Sequence, residues 1–196
     1  MKRIGFGQVE PNHLSARRTA QIYAQLPAKS DIEILENGQF VKYNYAAGVC
    51  DFAGEGEWMM VFNEVKLYDD AWRESYKDFA MIASNYTEGS DDITHDGLGP
   101  FPGRMTPRVI KINVGDHWTT NTLGPCNTSG KATVEYDAVT KETCADLATN
   151  PVFLAPNEKT GMLEKVADAS GEFVLQVVKY YTLPDGQEAV KVMRIK

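Results

Sequence analysis

The chain has little of what most directly announces chemistry. Its three cysteines, Cys50, Cys126 and Cys144, form no CxxC pair and leave one over, so neither a disulfide framework nor a cysteine-bound zinc is expected. Its three histidines, His13, His95 and His117, show no HxH or HExxH spacing, and neither a metal nor a cofactor is expected. Basic residues are in deficit, 20 against 27 acidic ones. The resulting net charge of −7 argues against a nucleic-acid coat, which needs a basic surface to release counterions. No apolar run reaches the ~20 residues that span a bilayer. Met1 to Glu10 carries charges but no apolar h-region, so no secretory signal is expected and the thiols read as reduced, in a chain made in the cytoplasm. With 43% hydrophobic and 24% charged residues over 196 positions, the composition is that of a folded domain with length for a core.

Catalytic signatures are also missing. There is no GxSxG elbow and no Walker A sequence, and Gly5-Phe6-Gly7 starts no GxGxxG because Glu10 stands at its last position. Cys50 precedes Asp51, a neighbour that raises rather than lowers a thiol pKa. Asp92 to Gly97 matches the first half of a calcium loop, but Gly103 stands where a bidentate glutamate is required, so the segment reads as a solvated acidic loop. Glu55 and Glu57 could line a cleft, though the commoner reading is the polar rim of a sheet edge. Trp58, Trp72 and Trp118 fall on three separate elements and read as core rather than as a glycan-stacking platform.

What is present is a pattern of strands and an uneven charge. Residues 1–29 hold five basic residues against Glu10 alone, while residues 30–196 are strongly acidic. The same segment carries Leu14, Ile22, Tyr23 and Leu26, which a merely solvated tail does not need. It therefore reads as a basic N-terminal arm that docks on its own core or on a neighbouring subunit. His13, Leu14, Arg17, Arg18, Ile22 and Tyr23 are the candidate partner-binding residues: apolar side chains to bury and two arginines to pair with carboxylates.

Residues 30–196 read as a β-rich body. Alternation around Asn37-Gly38 predicts a hairpin over 31–46. A short buried strand is expected at 56–62. Three- and four-residue spacing of Tyr68, Trp72, Tyr76, Phe79 and Ala83 predicts one amphipathic helix over 67–84, although Phe79 to Ile82 could equally open a strand. Residues 85–107 form a long Gly- and Pro-rich loop. Residues 108–113 and 117–123 predict a second hairpin, a strand is expected near 132–136, and a short helix after Thr140. A terminal hairpin turns at Leu183 to Gly186, with alternation that breaks at Val192-Met193 and so allows a bulge. The expected fold is mainly β, a single barrel or sandwich-like body with one helix, long loop insertions and an extended N-terminal arm.

Three stretches, GQVEPNHLSARRTAQIYAQLPA (7–28), GEWMMVFNEVKLYDD (56–70) and TPRVIKINVGDHWTTNTL (106–123), resemble small virion structural proteins of tailed bacteriophages. The resemblance covers about a third of the chain. It implies a non-enzymatic, multi-copy virion component made in the host cytoplasm, most simply a capsid decoration or cement protein. Its partners would be the major capsid protein or neighbouring virion subunits, with self-association in the particle. The family carries no active-site residues to transfer. A head–tail joining, tail or fibre-base protein is the alternative within the virion; a β-sandwich glycan-binding module or enzyme is the alternative outside it.

Overall fold

The computed structural model describes residues 1–18, 26–63, 79–86, 105–128 and 132–196. Among these the chain is mainly β, in four open sheets, none closed into a barrel. The largest has six strands in the order β12 (Leu163–Val166), β11 (Phe153–Pro156), β13 (Leu175–Thr182), β14 (Glu188–Arg194), β9 (His117–Thr120) and β2 (Val9–His13). A four-stranded sheet runs β5 (Val49–Asp51), β4 (Phe40–Asn44), β6 (Met59–Val61) and β8 (Val109–Lys111). Two small sheets pair β1 (Lys2–Ile4) with β10 (Thr133–Glu135), and β3 (Ile34–Glu36) with β7 (Ala80–Ile82). All strand pairings within the sheets are antiparallel.

The four-stranded sheet is buried on both faces, as its sequence dictates. Phe40, Met60 and Ile110 are cross-strand partners and join an apolar cluster with Trp118, Leu154, Leu175, Val190 and Val192 of the six-stranded sheet. The alternate residues Val41, Met59, Val61 and Val109 join a second cluster with Ala28, Ile32, Leu35, Met81 and Met105. MMV can therefore be apolar at three successive positions, because both sides of the strand need apolar groups.

The terminal hairpin forms as the alternation predicts. Gly186, at φ 84°, donates its N–H to the Leu183 carbonyl, and Leu183 donates to Gln187. The ladder shifts register at Val178, across from Lys191 and Val192. Val177 and Val178 cannot both face the core in a regular strand, and the bulge leaves Val177 buried and Val178 exposed.

Two predicted hairpins are turns without hairpins. At Glu36 to Gln39 the turn closes, with Gln39 N–H donating to Glu36 O, and Gly38 takes φ 87°. Asn37 N–H, however, donates to Phe79 O and carries β3 onto β7, while Gly38 N–H and the Gln39 carbonyl bind Val61 and draw β4 onto β6. Likewise Asn113 to Asp116 turns through Gly115 at φ 91°, but β8 pairs with β6 and β9 with β14 and β2. Both turns pass the chain from one sheet to another.

Other expectations are revised. Residues 67–78 of the predicted helix and 87–104 of the predicted long loop lie outside the described residues. Residues 80–82 are strand, taking the alternative the sequence left open, because the exposed edge of β3 pairs with them. The only α-helix among the described residues is the four-residue α1 (Ser15–Arg18). Residues 141–149 make turns rather than a helix. The described parts of the expected arm, 1–18 and 26–29, do not extend from the body but are built into it. β1 and β2 are paired strands, Leu14 and Ala16 are buried, and Ala28 bridges to Cys50. Of the apolar residues that argued for docking, Leu14 and Leu26 pack on the chain's own core, and Ile22 and Tyr23 lie outside the described residues.

Candidate functional site

The six-stranded sheet presents one row of side chains that crosses all its strands. Successive cross-strand partners are Val166, Phe153, Gln176, Met193, His117 and His13. Directly opposed residues share a face, so the six lie along one line of ~24 Å at the usual strand spacing. All are partly buried, whereas their neighbours Leu154, Val177, Val192 and Trp118 are buried on the core side. No Asp, Glu, Lys or Arg stands in the row; Glu10, Glu164, Lys179 and Lys191 lie beside it. An uncharged, half-apolar strip on the outer face of a sheet suits a protein surface better than a small polar substrate.

The β2 end of the strip is held by a defined arrangement. The His13 and His117 rings stack with centroids 5.4 Å apart and planes within 18°. Between the pairs Glu10–Thr119 and His13–His117, β2 advances three residues and β9 two, so β2 carries a bulge at Pro11-Asn12. Pro11 has no N–H to give to the ladder, which makes an edge strand the place for it. Below His13, Asp116 fixes the start of α1: its carboxylate accepts from Ser15 N at 3.0 Å, Ser15 Oγ at 2.8 Å and Asn113 N at 2.9 Å.

The residues expected to bind a partner are thus divided. His13 reaches the strip, Leu14 is in the core, the side chains of Arg17 and Arg18 and all of Ile22 and Tyr23 lie outside the described residues. The remaining five members of the strip were missed. Alternation marked their strands, but only the register shows that they share a row.

The three thiols sit where the thiolate is disfavoured. Burial pushes the Cys50 thiol up to about 12. Burial, then the Glu36 charge, does the same for Cys126, and burial raises Cys144. Burial alone would raise the Glu57 carboxyl, but hydrogen bonds from Lys111 and Arg194 outweigh it and hold the group below its ordinary value. Trp58 and Trp118 are core residues; Trp72, His95 and the Asp92 to Gly97 segment lie outside the described residues. Among the described residues no group of three or more His, Cys, Asp or Glu side chains is placed to hold a metal.

No protein family, curated protein or solved structure matches the chain.

Proposed function

We propose that the chain is a non-enzymatic structural subunit of a tailed-phage virion, a capsid decoration or cement protein seated on the major capsid protein or on neighbouring subunits. The observation that carries the reading is the uncharged strip from Val166 to His13 across the outer face of the six-stranded sheet. Depletion of charge with retention of aromatic, Met and apolar groups is what marks the centre of a protein interface. The resemblance of three stretches to virion proteins supports the capsid as that partner. In this reading the four- and six-stranded sheets form a sandwich-like body, and binding is through that body rather than through a free arm.

The test is incorporation. Particles purified from infected cells are assayed for copies of this chain, in the wild type and in a Phe153→Glu/Gln176→Glu variant whose unfolding midpoint is checked separately. Hundreds of copies in the wild type, lost in the folded variant, are expected. A dozen or fewer copies would assign the chain to head–tail joining instead of decoration. Absence from the particle would overturn the virion reading altogether.

A further inference from the structure

We propose that His13, His117 and Met193 form a binding site for a soft monovalent cation, Cu(I). The inference does not rest on the virion reading. Three adjacent strands, β2, β9 and β14, place these residues directly opposite one another, His13 against His117 and His117 against Met193. Opposed side chains have Cβ atoms about 4.5–5.5 Å apart on one face, so two imidazoles and a thioether share one neighbourhood. All three are partly exposed, which leaves an ion a way in.

The bulge in β2 is what creates this grouping. In an unbroken ladder counted on from Glu10 and Thr119, Asn12 would face His117. The extra residue at Pro11-Asn12 brings His13 opposite His117 instead, and Asn12 accepts a hydrogen bond from the Thr119 hydroxyl at 3.0 Å. Bulges re-aim side chains in this way beside functional sites. The rings are already parallel at 5.4 Å. Because the terminal torsion of histidine is broad, rotation of His13 about χ2 can turn its lone pair toward His117 without moving either strand or the His117 ring.

The donor set selects the ion. His117 Nδ1 lies 3.4 Å from the Gly115 carbonyl. The tautomer protonated at Nδ1 donates there and leaves the Nε2 lone pair for a metal. Thioether sulfur favours soft ions, and imidazole accepts copper. Cu(I) is satisfied by two or three donors, whereas structural zinc takes four protein ligands. The row offers three. Its next members, Gln176 and Phe153, add no soft donor.

The experiment must separate this site from the three thiols. The full chain, labelled with 13C at the methionine methyls, is titrated with Cu(I) under argon, and Cu(I) affinity is measured by competition with a chromophoric chelator. The Met193 methyl, identified by its loss in Met193→Leu, is expected to shift within the first equivalent. His13→Gln and His117→Gln are expected to keep the unfolding midpoint and to lose at least about tenfold in affinity, the lower end of what disturbing a ligand shell costs. The cysteines stay intact in every variant, so their contribution cancels. A stationary Met193 methyl, or unchanged affinity in both histidine variants, overturns the site. Displacement of Cu(I) by equimolar Zn(II) overturns the assignment to a soft ion.

Discussion

Arg3 Nη1 donates to Glu36 Oε2 over 2.6 Å, with both side chains sealed from water, and Nη2 reaches Oε1 at 3.4 Å. The pair ties the first strand of the chain to the end of β3. Glu36 accepts three further bonds, from Gly7 N at 2.7 Å, Asn127 N at 2.8 Å and Cys126 Sγ at 3.3 Å. Arg3 Nη2 also donates to the Pro125 carbonyl at 3.1 Å. One carboxylate thus holds the N-terminal segment, the β3 turn and the 124–127 loop together.

Removing one partner of such a pair strands the other charge away from water. Arg3→Met is expected to lower the unfolding free energy by ~3–5 kcal/mol. Urea unfolding followed by tryptophan fluorescence measures it; a loss below ~1 kcal/mol, the size of an exposed pair, would show that water reaches Glu36.

Gly161 takes φ 66°, and a Cβ there would lie 2.1 Å from the Phe40 carbonyl and 2.8 Å from the Phe52 ring. Gly186 takes φ 84° with open space around it. Gly186→Ala is expected to cost ~1–2 kcal/mol for the left-handed backbone alone. Gly161→Ala should cost clearly more, since it also forces apart the β11–β12 loop and β4, whose Phe40 N–H donates to Gly161 O at 2.7 Å. Equal midpoint shifts for the two variants would contradict the close approach.

Alkali should destabilise the protein through its buried thiols. The Cys50 and Cys126 thiols ordinarily titrate at 9.0 and are pushed up to about 12, chiefly by burial. Burial raises Tyr43 in the same direction. Between those limits the unfolded chain has lost protons that the folded chain retains, so stability falls as pH rises from about 9 to 12. Thermal unfolding across that range checks it. Cys50→Ala should flatten the slope, and a stability that stays level to pH 11 would contradict the shifts. At pH 8 the same thiols should react with iodoacetamide far more slowly folded than unfolded.

Ser15 and Asp116 should be energetically coupled. Two hydrogen bonds join them directly, and Asn113 Nδ2 donates to Ser15 Oγ at 2.7 Å as a third side. Asp116→Ala leaves the Ser15 and Asn113 N–H groups without their acceptor, a cost of ~1–3 kcal/mol. A double-mutant cycle with Ser15→Ala should then return a coupling of ~0.5–3 kcal/mol, the range for residues sharing a network. Additive losses would show that the triangle is not maintained in solution.

Local chemistry was legible in the sequence wherever the neighbours in the chain are also the neighbours in space. The terminal hairpin, the strand at 59–61 and the turns at Gly38, Gly115 and Gly186 could all be read from alternation and turn residues. The partners of the strands could not. Asn37-Gly38 specifies a reversal, but what β3 and β4 bond to is decided by Phe79 and Val61, far along the chain. Arg3 was misread for a similar reason: nothing near it announces that Glu36 neutralises it inside the protein. The strip was invisible because each strand contributes a single residue to it. His13 and His117 become a pair only through a register that a single proline-containing bulge sets.

Strand β6 turns Met60 toward one apolar cluster and Met59 and Val61 toward the other. Neither cluster can loosen without uncovering a strand that also walls the other. Among the described residues the two clusters therefore share a wall. Heat or denaturant is expected to release both clusters in one concerted event.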